Sequence, residues 1–138
     1  MEYLVQFRAA MNQWREEMKS RTHRFAVDVI NFLKELPDRS ENRRIKDQLL
    51  GAAGGVDANW RAACRARSHK EFAAKLGTVL EEADEAEGWL DLLHDAKLSE
   101  ATELTRLRQE SKELRAIFAK ACRTANDNEN GRRAKSSR

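Results

Sequence analysis

Apolar residues recur every three or four positions along most of this chain, the spacing that aligns side chains on one face of an α-helix. The first stripe is Leu4, Phe7, Met11, Trp14 and Met18, in heptad register, and it runs on through Phe25, Val29, Phe32, Leu33 and Leu36. Pro37 ends it, because the residue before a proline is pushed out of the helical region. A stripe states what is buried, not against what. Leu4, Phe7, Met11, Trp14 and Met18 therefore either pack within the subunit or overhang it as an oligomer interface. The second stripe is Ile45, Leu49, Ala52, Val56, Trp60 and Ala63, after a loop in which Asp38 or Ser40 is placed to cap the new helix. The third opens on Ser68-His69-Lys70-Glu71, a capping box, and continues through Phe72, Leu76, Val79, Leu80, Ala83, Leu90 and Leu93. The fourth is Leu104, Leu107, Ser111, Leu114, Ile117, Phe118 and Ala121, with Ser99 as its expected cap.

Short links between four amphipathic helices force neighbours to run antiparallel. The pattern predicts an all-α fold, an antiparallel up-down four-helix bundle over residues 21–125. Residues 1–20 extend the first helix, and residues 126–138, nearly devoid of apolar side chains, read as a disordered basic tail. Gly51, Gly54 and Gly55 lie inside the second helix, where each costs on the order of 1 kcal/mol against alanine. Close approach of another helix would compensate; a kink is the competing reading.

A chain of 138 residues suits one domain, and with 36% charged residues and a single proline it reads as helical rather than sheet-forming. No apolar run is long enough to cross a membrane, and the first ten residues lack the pattern of a secretory signal. The expected location is cytoplasmic. Cys64 and Cys122 then read as plain thiols, a disulfide being the alternative.

Charge is split along the chain. The net charge is +3, and the segment Arg123–Arg138 carries all of it, with five basic residues against Asp127 and Glu129. Arg61, Arg65, Arg67 and Lys70 gather at the corner between the second and third helices, near Trp60 and Phe72. Cations beside aromatics suit phosphates and bases; a solvated helix end is the plainer explanation. Arg132, Arg133, Lys135 and Arg138 in the tail are further candidates for RNA contact. Glu81, Glu82, Asp84, Glu85 and Asp91 make the third helix acidic, a candidate surface for a protein partner.

Catalytic chemistry finds little support. Asp91-x-x-His94 is half of a carboxylate-bridged metal motif, but no second pair accompanies it, so no metal site is expected. Ser68 has a structural task as a cap, and nothing singles out a base for Cys64. No catalytic residue, cofactor or small-molecule substrate is expected.

One ordered set of residues narrows the class. Phe25-Ala26, Leu36-Pro37, Gln48-Leu49-Leu50, Val56-Asp57-Ala58-Asn59-Trp60-Arg61-Ala62-Ala63, Arg67-Ser68, Glu71-Phe72, Lys75-Leu76, Leu80-Glu81-Glu82-Ala83-Asp84-Glu85 and Trp89-Leu90 occur in sequence. From about Arg21 to Thr124 the chain resembles the bacterial 23S rRNA-intervening sequence proteins. The family's usual alanine-serine pair appears here as Gly54-Gly55. The resemblance implies a left-handed bundle assembled as a homopentamer. A related branch, the accessory variability proteins of diversity-generating retroelements, implies structured RNA or a reverse transcriptase as partner. Together these give a non-enzymatic oligomeric adaptor for RNA or an RNA-handling protein. The alternative is a protein scaffold docking through the acidic third helix, without nucleic acid.

Overall fold

A computed structural model describes all 138 residues, and they form four helices and no strand. Helix α1 spans Glu2–Glu35, α2 Ser40–Cys64, α3 His69–Asp95 and α4 Thr102–Ser136. Each helix packs on the next and α4 returns to α1, while the diagonal pairs meet only through long side chains, which is the up-down arrangement that the short links dictate. The stripes of α2, α3 and α4, and that of α1 from Trp14 on, face inward as their spacing requires. Trp60, Phe25, Phe118, Leu49, Leu76, Leu90, Leu93, Leu104, Leu107 and Leu114 are fully buried, and Trp89 is half-buried against the same core.

The α1 stripe divides between the two readings. Met18 is buried and Trp14 packs edge-on against Trp60 at 5.4 Å, so the lower part belongs to the subunit's own core. Leu4, Phe7 and Met11 remain 57%, 53% and 38% exposed, and Tyr3 and Val5 beside them are more open still.

Helix ends depart further from the sequence pattern than helix faces do. Ser68 caps α3 as expected, its Oγ accepting from Glu71 N–H at 3.1 Å. The Glu71 carboxylate returns to the Arg67 N–H at 2.9 Å, one residue earlier than the usual box. Neither Asp38 nor Ser40 caps α2. Arg39 takes the N-cap position in extended geometry, Asp38 accepts from Arg43, and Ser40 donates to Glu41. Asn42 instead ties the turn by donating to the Pro37 carbonyl at 2.8 Å. Ser99 does not cap α4 either. Lys97 adopts φ 57, and Ser99 Oγ accepts the Ala101 N–H two residues on, so the turn uses the hydroxyl before the helix begins.

Helix α4 also does not end near Ala125. It continues through the segment read as a disordered tail, to Ser136. No proline interrupts it, Glu129 and Arg133 pair one turn apart at 3.5 Å, and Arg133 and Lys135 lie at the helix's negative end.

The glycines in α2 have unequal roles. A Cβ on Gly55 would stand 2.6 Å from Glu82 Cδ, so its bare backbone is what lets the α3 side chain lie across α2. Gly51 and Gly54 have nothing within 4 Å of where a Cβ would be. Gly54→Ala is expected to stabilise the protein by about 0.5–1 kcal/mol, through helix propensity and a less mobile unfolded chain, as read by thermal melting. A loss of stability instead would place a second copy against this face.

Ion pairs close the seams of the bundle. Arg21 on α1 reaches Glu110 and Glu113 on α4, and Arg106 reaches back to Asp28 at 2.7 Å. Between α3 and α4, Arg115 pairs with Glu87, and Arg108 with Asp91 at 2.9 Å.

Candidate nucleic-acid interface

The α2–α3 corner does not stand alone at its end of the bundle. The N-terminal half of α1 rises on one side of it and the continuation of α4 on the other, and the three enclose a cleft of about 890 Å³. That lies within the roughly 300–1,000 Å³ range of ligand pockets. The floor is apolar, from Met11, Trp14, Phe72, Leu76 and Ile117. Behind it the aromatic rings interlock: Trp60 meets Trp14 and Phe118 at 5.4 Å and Phe72 at 6.4 Å, and His69 follows Phe72 at 6.4 Å.

Helix α4 supplies one wall through Lys120, Thr124, Asn128 and Arg132, four residues apart and so on one face. His69 fixes that wall to the corner by donating from Nε2 to the Ala125 carbonyl at 2.9 Å. Arg15 lies over the Phe72 ring at 5.0 Å, a cation–π contact, and its buried Nε has no acceptor.

The electrostatics of this cleft are one-sided. Arg15, Arg67, Lys120 and Arg132 line it, and no carboxylate does. None of these cations makes an ion pair, which is also true of exposed cations such as Arg24, Arg44 and Lys112; the cleft is set apart by gathering four of them with no carboxylate in its lining. Close, uncompensated positive charge repels itself and favours an anionic occupant.

Of the residues singled out in the sequence, Arg67 and Arg132 meet in the cleft. Arg61 does not: it turns to Asp57, at 3.4 Å. Arg65 ends α2 and Lys70 sits in the first turn of α3, both exposed beside the cleft rather than in it. Arg133 pairs with Glu129, and Lys135 and Arg138 lie exposed further along. Arg15, Lys120, Thr124 and Asn128 were missed. The four-residue spacing of Lys120, Thr124, Asn128 and Arg132 was the available signal, and it has meaning only if α4 continues past Ala125.

The acidic candidates separate too. Asp91 is engaged by Arg108, and Glu82 lies over Gly55, whereas Glu81, Asp84 and Glu85 are exposed and unpaired. Burial, with Glu85 and Glu81 adding like charge, pushes the Glu82 carboxyl above its ordinary range. The folded state therefore holds this proton more tightly than the unfolded chain does. Stability from this group is full at acid pH and is lost as pH rises through the raised value. Glu82→Gln should accordingly raise the melting temperature at neutral pH and change it little near pH 4, where about two-thirds of an ordinary glutamate is already protonated. Equal gains at both pH values would contradict the assignment.

His94 pairs with its neighbour Asp95 at 3.1 Å, and Asp91 points to Arg108, so the Asp-x-x-His spacing brings no ligand pair together. Burial pushes the thiols of Cys64 and Cys122 up, away from the nucleophilic thiolate. Asp57 was also missed. It is 7% exposed, accepts from His23 Nδ1 at 3.2 Å, and joins α1 to α2.

The profile of one family matches residues 16–120, covering the bundle from the middle of α1 to the cleft wall of α4, and it is that of the 23S rRNA-intervening sequence protein. This chain belongs to that family. A solved structure agrees: a Bacteroides thetaiotaomicron protein of unknown function from the S23 ribosomal protein family, at 1.70 Å resolution. It is 28% identical, covers 76% of this chain and 97% of its own, and superposes with a TM-score of 0.70. No curated protein matches. The family match stops at residue 120, so most of the α4 wall, including Thr124, Asn128 and Arg132, lies beyond it. No helix in this family member is long and apolar enough to cross a membrane.

Proposed function

We propose that this chain is a non-enzymatic, oligomeric adaptor that binds RNA at the cleft between the α2–α3 corner, α1 and α4. The observation that carries the reading is the set of cations without ion pairs in a cleft free of carboxylates, beside aromatic side chains. Phosphates supply the missing negative charge, and affinity gained this way falls with salt as counterions are released. Fluorescence anisotropy with a labelled RNA across a salt series tests it. The log of affinity should fall linearly with the log of salt, with a slope of about 0.7–0.9 per phosphate contacted. No binding even at low salt, where screening is weakest, would end the RNA reading.

The oligomeric part is supported by the uncovered apolar start of α1 beyond the cleft, where Tyr3, Val5 and Leu4 are 75%, 66% and 57% exposed. Light scattering should give an assembly, with five subunits as the family resemblance implies; a monomer mass would contradict it. The non-enzymatic part is supported by the raised thiols and by a Ser68 hydroxyl already engaged as a cap. A second reading, a protein scaffold, is supported by Glu81, Asp84 and Glu85, which remain exposed and unpaired after the other α3 acids have closed the bundle.

A further inference from the structure

We propose that the cleft takes single-stranded RNA by receiving an unstacked base on its aromatic floor, while the flanking phosphates meet the cations of its rim. This rests on the RNA reading above and specifies which form of RNA the site accepts.

Contacts to a duplex backbone need cations but no apolar pocket, since the bases are hidden in the stack. Here the cations surround a concave site of about 890 Å³ with an apolar floor. Phe72 and Trp14 are half-buried at that floor, so part of each ring remains open to an occupant. Arg15 lies over Phe72 at 5.0 Å, so a base enters beside that guanidinium or stacks on it, a plane on which RNA bases also stack. Base–aromatic stacking is tolerant of sequence, because every base has a π-face.

The polar groups are placed to complement this. Thr124 and Asn128 project from the α4 wall between Lys120 and Arg132, within the same cleft. Thr124 offers a donor and an acceptor, and Asn128 offers both on one planar group, the chemistry that meets a base edge. A nucleotide presents a flat apolar face, a polar edge and an adjoining anion. The cleft presents an aromatic floor, amide and hydroxyl groups, and cations without counter-ions. An acidic peptide would satisfy the cations but has no use for the stacking surface.

The test compares three probes of one length on the wild-type protein: a labelled single-stranded RNA, the same strand annealed to its complement, and an abasic strand that keeps the phosphates. The base-bearing single strand should bind about ten-fold or more tightly than the abasic strand, the scale of one stacked base. It should also bind more tightly than the duplex, despite the duplex's greater charge. Phe72→Leu should bring the base-bearing strand down toward the abasic level and change the abasic affinity far less, the Arg15 contact with that ring being lost in both. The wild-type comparison stands by itself if that variant folds poorly. Equal binding of base-bearing and abasic strands would overturn base capture and leave RNA binding intact. Binding of an acidic peptide of the same charge as tightly as the single strand would also overturn it, since charge alone would then be recognised. Failure of all three nucleic acids to bind at low salt would remove the RNA reading itself, and base capture with it.

Discussion

Trp60→Ala is expected to melt this protein. The indole is fully buried where α1, α2, α3 and α4 meet, in contact with Trp14, Phe72 and Phe118, and its Nε1 donates to the Arg15 carbonyl at 3.3 Å. Truncating a buried aromatic to alanine costs about 3–5 kcal/mol, from lost burial and the cavity left behind. Total stability of a domain is only about 5–15 kcal/mol. The variant should therefore be insoluble, or melt roughly 10 °C or more below wild type by circular dichroism. The loss would reach the cleft as well, because Trp60 supports Trp14 and Phe72 from behind. Wild-type melting would mean that the four helices do not converge on this residue.

The second large effect is on binding. Reversing Arg67 and Arg132 together to glutamate places two carboxylates in a cleft that has none. Two phosphate contacts are lost and replaced by repulsion. RNA affinity should fall by at least about a hundred-fold at low salt, and the salt slope should flatten by about 1.4–1.8. Folding should be unaffected, since both side chains are exposed and neither makes an ion pair. The matching reversal of Arg61 and Arg133, which are engaged by Asp57 and Glu129, should weaken RNA binding far less. Equal loss from both pairs would indicate that total charge governs binding, not the cleft.

The helix faces were legible in the sequence because burial on a helix has a period, and Leu49, Val56, Leu76, Leu107 and Phe118 kept it. The Ser68–Glu71 cap was legible because it is a local bond across three residues. The caps at Asp38, Ser40 and Ser99 were misread because the backbone of the turn, not the presence of a hydroxyl or carboxylate, decides who accepts. Lys97 at positive φ sends Ser99 into a turn of its own. Composition argued for disorder after Ala125, but a polar segment without proline can extend a helix already begun, and this one carries an i,i+4 ion pair. That misreading hid the α4 wall. The division of the acidic helix was equally hidden, since the pairing of Glu87 with Arg115 and Asp91 with Arg108 depends on how α3 and α4 are rotated toward each other. A cleft assembled from three helices has no signature in any one of them.

Photo-crosslinking a single strand carrying thiouridine to the wild-type protein, followed by peptide mapping, reads directly where RNA touches the protein. Crosslinks are expected in the segments that form the cleft, around Trp14, from Arg67 to Phe72, and from Lys120 to Arg132. Crosslinks confined to the acidic stretch Glu81–Asp95, or to the opposite end of the bundle around Pro37 and Ser99, would contradict binding at the cleft.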